Sequence, residues 1–460
     1  MSAPTVNLRT LLALAWPVVL ARATQAVVGF TDALMVAPLG EDALTATTTG
    51  AINSFSAVIL PMGTVFIVQS FVAQLVGKGR GGETRRYAWY GLAIALAAAL
   101  IGLAGLPLLR PLLGLLDHDP AVEDLMGDYM IIRLTSVGAI VGMEALGNWY
   151  GGFGNTQMQM RAGMITMVAN VAGNWLLIEG HLGAPAMGVA GAALASSIAS
   201  WIGFAYLMVA FRRRWGGAPV SAGPTRLSWR ELGRVLRFGL PNGGNWFMEF
   251  GAFALFMNVA VADLGKTTLG ALNVIIQVNS VAFMPAFGVA TAGAILAGQS
   301  IGADAKDRVW PIVRLTLGVT AGWMIAVGLL YTMIPEQVMS LFAHDDPKSG
   351  VQAEALVRIG APMLALSAAW QLFDATAITF AETLRAAGDT TWCLFARLTL
   401  AWAGFVPASL VVVFVLDGGS LAIMGCLIAY LALLAIVMVA RFRSGAWRRI
   451  ELTGREPELV

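Results

Sequence analysis

Twelve long apolar stretches, separated by short polar segments, set the pattern of the chain. Each stretch has about 20 or more residues, the length that a helix needs to cross about 30 Å of hydrocarbon. They lie at residues 10–37, 50–76, 88–110, 124–148, 160–179, 187–211, 235–262, 268–298, 311–334, 354–381, 391–416 and 420–440. Because a spanning segment must satisfy its own backbone hydrogen bonds, each is expected to be a helix. The pattern predicts an all-α polytopic membrane protein with twelve transmembrane helices.

The longest polar interruption divides the chain into two halves of six spans. It combines several arginines with the Gly, Pro and Ser of a linker. We expect an N-terminal lobe at 1–211, a basic linker at 212–234, a C-terminal lobe at 235–442 and a tail at 443–460. At an offset of 224 or 225, the second half repeats Pro17, Gly40, Pro61 and Gly77 as Pro241, Gly265, Pro285 and Gly302. Such halves are expected to be related by an axis along the membrane normal.

Composition supports a membrane protein and excludes other classes. Hydrophobic residues make up 58% of the chain and charged residues 12%, with a mean hydropathy of +0.74. Soluble globular chains carry about 25% charged residues, so an ordinary soluble enzyme and a disordered protein are both excluded. The net charge of +2 is too small to indicate nucleic-acid binding. The sequence contains no HExxH or CxxC motif that would indicate an enzyme.

The positions of lysine and arginine predict the orientation. If the N-terminus is cytoplasmic, 22 of the 29 Lys and Arg residues fall in cytoplasmic segments. Since such segments carry an excess of these residues, we expect both termini inside. The basic residues that fall within spans are Arg22, Arg133, Arg358 and Arg397.

Acidic residues inside the spans are the strongest candidates for chemistry, because an ionisable group in the bilayer costs a few kcal/mol or more. They are Asp32 in span 1, Glu144 in span 4, Glu249 in span 7 and Asp374 in span 10. One explanation for each is a structural ion pair, for which the candidate partners are Arg22, Arg133 and Arg358. Acids on several helices with few intramembrane bases otherwise favour a pathway for cations.

Amide side chains accompany these acids at helical spacing. Asn170 and Asn174 lie one turn apart in span 5, and Asn273 and Gln277 do so in span 8. Amide oxygens together with a carboxylate can coordinate Na⁺, whereas the same carboxylate can instead take a proton. Interhelical hydrogen bonding is the alternative explanation for each amide pair.

Several tryptophans, among them Trp246 and Trp370, lie within spans, whereas none of the three histidines does. Aromatic faces attract organic cations, so a pocket for flat cations would use such residues; packing and lipid contact are the alternatives. His118, His181 and His344 fall between the spans. They are therefore not placed for a metal site or a proton relay within the membrane.

Seven segments, taken in order, carry a family resemblance. They are LAWPVVLARATQAVVGFTDALMVAPLG in span 1, QSFVAQLVGKG after span 2, GGFGNTQ and NVAGNW around span 5, GAPAMGVAGAALASS entering span 6, and FGLPNGGNWFMEFGAF and LRAAGDTTW in the second half. In this order and spacing, the chain resembles the multidrug and toxic compound extrusion (MATE) transporters over essentially its whole length. The resemblance implies twelve helices in two six-helix lobes around a central cavity. It also implies export of cationic, lipophilic compounds in exchange for Na⁺ or H⁺.

The resemblance assigns candidate ion sites as well. It implies that Glu249 and Asp374 form a cation site in the C-terminal lobe, as in the NorM-type bacterial branch. The cation ligands of the family's N-terminal lobe correspond to Asp32, Asn170, Asn174 and Ser196. One position departs from the pattern, because some NorM-type members have a tyrosine ligand where this chain has Trp370. An indole offers no oxygen, so we expect a C-lobe site that is altered or proton-selective.

These features predict a secondary active antiporter for multidrug efflux rather than an enzyme, working by alternating access without a cofactor. Further candidates for the substrate cavity are Asn245, Asn273, Gln277, Trp246 and Trp370. A lipid-linked saccharide flippase is one alternative, although it would need more basic residues in its spans; a non-multidrug metabolite exporter of the same family is another. A receptor or scaffold would need a soluble domain, for which the spans leave no room. We expect a monomer in the bacterial inner membrane that takes small organic cations and binds no nucleic acid.

Overall fold

The computed structural model describes residues 6–114, 119–217, 227–343 and 352–454, and every regular element in them is a helix. The first half contains α1 (Leu8–Val36), α2 (Glu41–Val65), α3 (Ile67–Gly77), α4 (Arg85–Leu113), α5 (Pro120–Leu134), α6 (Val137–Gly152), α7 (Gln157–Leu177) and α8 (Gly188–Arg213). The second half contains α9 (Trp229–Leu255), α10 (Lys266–Gly302), α11 (Val309–Met333), α12 (Pro335–Ser340), α13 (Ala353–Ala387), α14 (Thr390–Leu398), α15 (Val406–Phe414) and α16 (Ser420–Arg443).

Each of the twelve predicted spans coincides with helical structure. Helices α2 and α3 follow each other through Phe66 and form one span, and α5 and α6 form another that is bent by 46°. A π-helical turn at Thr399–Phe405 joins α14 to α15. Within the described residues, nine spans are long and apolar enough to cross a membrane as single helices, and the bent pair makes a tenth. The other two are α7 and α9, which carry several of the predicted polar site residues.

Helix ends follow local sequence signals. Helix α5 begins at Pro120, directly after Asp119, whose carboxylate accepts a hydrogen bond from the backbone N–H of Ala121 at 3.0 Å. An acidic N-cap followed by proline is a common helix start. Helix α13 ends at Ala387, directly before Gly388, whose φ of +89° lies in the left-handed region that favours glycine.

The chain forms two compact units. Of the described residues, the first unit comprises those within Pro17–Gly244 and Gly302–Asp304, and the second comprises those within Asn245–Ile301, those after Asp304 and those before Pro17. Helices α1 and α9 therefore each contribute to both units. The predicted linker lies partly outside the described residues, and the lobe boundaries predicted from its position stay a prediction.

Close helix packing in the first unit depends on aromatic rings and small residues. The Trp149 ring lies edge-on to Phe211 at 4.9 Å between centroids, and its indole N–H donates to the carbonyl of Thr84 at 3.0 Å. A β-carbon on Gly152 would overlap the side chain of Val72. Such small residues let helix backbones approach in a bilayer, where packing replaces the hydrophobic effect as the source of association.

The segment after α16 packs onto the second unit. Trp447 and Leu452 are fully or almost fully buried, and the Trp447 ring stacks on Phe442 at 5.3 Å between centroids. Leu452 lies against Gly388, and the Lys306 ammonium donates to the carbonyl of Arg448 at 2.7 Å. The described part of the predicted tail is therefore an ordered part of this unit.

Replacing Gly243 of α9 by alanine is expected to destabilise the protein. A β-carbon there would overlap the carbonyl oxygen of Leu60 and the hydroxyl of Thr64. Overpacking of this kind costs about 1–3 kcal/mol, so the melting temperature of the detergent-solubilised protein should fall. The matched control is Gly233→Ala on the same helix, where no atom lies within 4 Å of the added carbon. Equal melting temperatures for the two variants would contradict the close approach of α2 and α9.

Candidate functional site

The acid of the first helix lies in a ring of hydrogen-bond donors from two other helices of the first unit. Asp32 Oδ1 accepts from Asn170 Nδ2 at 2.9 Å and from Asn174 Nδ2 at 2.5 Å, both on α7. Asp32 Oδ2 accepts from Ser196 Oγ of α8 at 2.8 Å. The one-turn spacing on α7 thus aims both amides at the same carboxylate. These four residues, predicted as one site, are in contact.

The Asp32 ring (Asp32, Asn170, Asn174 and Ser196) is buried and contains no basic residue. Asp32 is 7% exposed, and Asn170 and Asn174 are fully buried. Within the described residues, no Lys or Arg forms an ion pair with Asp32, and the hydrogen bonds to its carboxylate come from neutral donors. The Oδ1 atom of Asn174 is buried without a hydrogen-bond partner. The Asp32 ring therefore contains an acid without a basic partner and an amide oxygen without a hydrogen-bond donor.

Glu144 forms a structural ion pair, which is one of the explanations that the sequence allows for it. Arg22 donates to Glu144 Oε1 at 2.6 Å, and both side chains are buried. Asn148 Nδ2 donates to the backbone carbonyl of Glu144 at 2.8 Å, and the Arg22 guanidinium lies over the Phe66 ring at 5.1 Å from its centroid. Glu144 is thus part of a paired and packed group rather than a free acid. Neither of the other candidate partners, Arg133 and Arg358, forms an ion pair within the described part of the chain.

The acids of the second unit lie beside an arginine that the sequence did not suggest as their partner. Glu249 of α9 is ion-paired with Arg397 of α14. Asp374 of α13 lies close enough to interact electrostatically with both of them, and Tyr430 of α16 lies beside the same group. Four helices thus meet at this cluster. The available signal was the presence of Arg397 inside a span, where a base needs a partner.

The remaining candidates lie in varied surroundings. Trp370 is buried in the hydrophobic core of the second unit, and Asn245 is buried with its Oδ1 unpartnered. The Trp246 ring contacts Phe287 edge-on at 6.2 Å between centroids. Asn273 and Gln277 share an exposed face of α10. None of these positions by itself identifies a substrate contact.

One polar contact in the second unit escaped sequence reasoning. Gln371 of α13 donates to Asn279 Oδ1 of α10 at 2.5 Å, and the Oε1 atom of Gln371 is buried without a partner. Both residues are amides within spans, which is the same signal that pointed to Asn170 and Asn174. Because the two residues are 92 positions apart in the chain, the sequence does not indicate that they form a pair.

Two other residue types of interest lie away from these clusters. His181 stacks on Trp175 at 4.4 Å between ring centroids, and His118 and His344 lie outside the described residues. Ser300 stands at the centre of a GxSxG sequence, but it is fully buried inside α10. A serine nucleophile of that motif needs a sharp strand-to-helix turn, which a helix interior cannot provide.

A comparison with protein families decides what kind of chain this is. The MatE family model matches residues 17–176 and 248–409, which together make up more than half of the chain. The chain belongs to the MatE family. One matched segment falls in each half of the chain.

Relatives of this MatE protein extend over its whole length. It is 28% identical over 458 residues to a probable multidrug resistance protein NorM of Pseudomonas putida, covering 98% of this chain and 97% of that relative. It is 27% identical over 432 residues to the multidrug resistance protein NorM of Burkholderia vietnamiensis, covering 93% and 92%. The predicted resemblance to the NorM-like branch is confirmed.

Solved structures confirm the fold of this MatE protein. An outward-facing multidrug resistance MATE transporter of the MOP superfamily is similar with a TM-score of 0.87 at 18% identity, covering 96% of this chain and 97% of that one. At this identity the likeness is one of fold. It confirms the prediction of an all-α membrane protein with twelve transmembrane helices.

Breaking the Arg22–Glu144 pair is expected to destabilise the protein strongly. Arg22→Leu leaves a buried carboxylate without its partner, which costs about 3–5 kcal/mol. The double variant Arg22→Leu/Glu144→Leu removes both charges and should recover most of the melting temperature. As a control, Arg110→Leu breaks the exposed ion pairs with Asp124 and Asp128 and should cost about 0–1 kcal/mol. A double variant as unstable as the single one would contradict a buried charge as the cause.

Proposed function

We propose that this MatE protein is a secondary antiporter that exports cationic or lipophilic organic compounds in exchange for Na⁺ or H⁺. The observation that carries the proposal is the Asp32 ring, a buried acid held by neutral donors. The family membership and the names of the NorM relatives support efflux as the direction of transport. A buried carboxylate without a basic partner is an expected binding point for an exchangeable cation.

The Asp32 ring can change between two hydrogen-bonding arrangements without moving a helix. In the arrangement described, the amides of Asn170 and Asn174 donate to the carboxylate. The terminal torsion of asparagine has two nearly equivalent settings, so a half turn would exchange each Nδ2 for an Oδ1. A cation beside Asp32 would then meet amide oxygens, the carboxylate and the Ser196 hydroxyl. A proton on Asp32 would discharge the ring instead.

Transport by this route requires alternating access. A coupling ion can move the protein between conformations only if its affinity for them differs. The Asp32 ring draws on three helices, so a conformational change that separates any of them alters the ion site. We propose that ion binding at this ring and substrate binding favour opposite states.

We propose an orientation from the charge pattern and a location from the relatives. The excess of Lys and Arg in the segments that share a side with the N-terminus supports cytoplasmic termini. The bacterial NorM relatives support the inner membrane as the location. With this orientation, ions entering along their gradient would drive substrate outward. We propose that a single chain is the working unit.

Replacing Asp32 by asparagine is expected to abolish ion-driven transport while leaving the fold intact. Asparagine keeps the shape of the side chain but cannot hold a cation by charge or take the proton. The measurement is ethidium movement in proteoliposomes with an imposed Na⁺ gradient at equal pH on both sides. Asp42→Asn, which changes an exposed acid at the start of α2, is the matched control and should transport like the parent chain.

Repeating the measurement with a pH gradient and no Na⁺ gradient separates the two ions. Movement under the Na⁺ gradient alone identifies Na⁺ as the coupling ion, and movement under the pH gradient alone identifies H⁺. Transport at the parent rate by the Asp32→Asn variant under both gradients would remove the Asp32 ring from the proposal.

A further inference from the structure

The ion pair in the second unit contains a buried basic residue, which the Asp32 ring lacks. Arg397 is 9% exposed, and its Nε atom is buried without a hydrogen-bond partner in the described chain. The side chain of Glu249, by contrast, is 38% exposed. The guanidinium is therefore enclosed by the protein, whereas the carboxylate reaches the more open side of the cluster.

Aromatic contacts fix the helices that carry this pair. Phe256 follows the helix of Glu249, and Phe405 follows the helix of Arg397; their rings lie 4.8 Å apart between centroids. Phe405 also stacks on Tyr430 at 5.1 Å. Both phenylalanines belong to π-helical turns, which occur frequently at functional sites. The partners of the ion pair are thus held together by packing in addition to charge.

Arg397 neutralises one of the two acids of the cluster without any added ion. With all groups ionised, Glu249 and Asp374 contribute two negative charges and Arg397 contributes one positive charge. A free cation placed between the two acids would be repelled by the guanidinium that already pairs with Glu249, and such repulsion is strong in a poorly solvated site. The guanidinium of Arg397 therefore already supplies the positive charge that a bound cation would bring to the Glu249–Asp374 pair.

We propose that Arg397 is a resident counter-cation of the Glu249–Asp374 pair, so that this cluster does not bind the coupling ion. This inference builds on the proposed antiport, in which the Asp32 ring then becomes the sole coupling-ion site. Arg397 thereby acts as a specificity-determining residue, because it sets the net charge of the cluster.

The test is equilibrium binding of radioactive Na⁺ to the purified full-length protein at alkaline pH, without any gradient. All variants carry Asp32→Asn, so that only the second unit is measured. Asp32→Asn alone should show no saturable binding. Adding Arg397→Gln should produce saturable binding, because two acids then face each other without a counter-charge. Adding Glu249→Gln to that double variant should abolish the binding again.

Two controls separate the role of Arg397 from a general effect of lost charge. Arg397→Lys keeps the positive charge and should leave the cluster closed to Na⁺. Arg448→Gln removes the same charge from an exposed ion pair with Asp307 and should produce no new binding. If Arg397→Gln does not fold, Arg397→Met keeps a side chain of similar length in the same packing and serves as the second variant.

Two results would overturn the inference. One is saturable Na⁺ binding in the Asp32→Asn variant that disappears when Glu249→Gln is added, since the cluster would then bind Na⁺ with Arg397 in place. The other is a monodisperse Arg397→Gln or Arg397→Met variant that binds no Na⁺. Failure of the proposed antiport has a different signature, the absence of ethidium movement under either gradient, and leaves the binding comparison interpretable.

Discussion

The cost of removing charge from water governs how this protein is built. An ion buried without compensation costs several kcal/mol, so each acid inside the helices needs a partner supplied by the chain. The structure contains two solutions to that requirement. Asp32 is surrounded by neutral hydrogen-bond donors, whereas Glu144 and Glu249 are each paired with an arginine. The first solution leaves the carboxylate without a basic partner.

The distribution of polarity among the helices follows from these solutions. Helices α7 and α9 are the two spans that are less apolar than the others, and they carry Asn170, Asn174 and Glu249. A helix with such residues is stable at membrane depth when its polar face is covered by protein. The complete burial of both asparagines meets that condition. The helices that bear the chemistry are therefore the ones most dependent on their neighbours.

The sequence predicted the spans well, because each is an apolar stretch longer than the hydrocarbon core is thick. It also brought Asn170 and Asn174 together, since a one-turn spacing puts both on one face, and the family resemblance added Ser196. The pairing of Glu249 with Arg397 could not be predicted, because it joins residues 148 positions apart in the chain. Local periodicity contains no information about which of four intramembrane arginines meets which acid. The start of α1 belongs to the second unit and the start of α9 to the first. This exchange of helix ends could not be predicted for the same reason.

That exchange has a consequence for the order in which the protein can be assembled. Leu11 and Ala15, near the start of α1, are buried in the same hydrophobic core as Leu427 and Met438 of α16. The ribosome makes these partners more than 400 residues apart, so the beginning of the first helix enters the bilayer long before the core that it completes exists. Contacts of such long sequence separation form slowly. The first turns of α1 therefore reach their final packing only after the later spans of the second unit have been inserted.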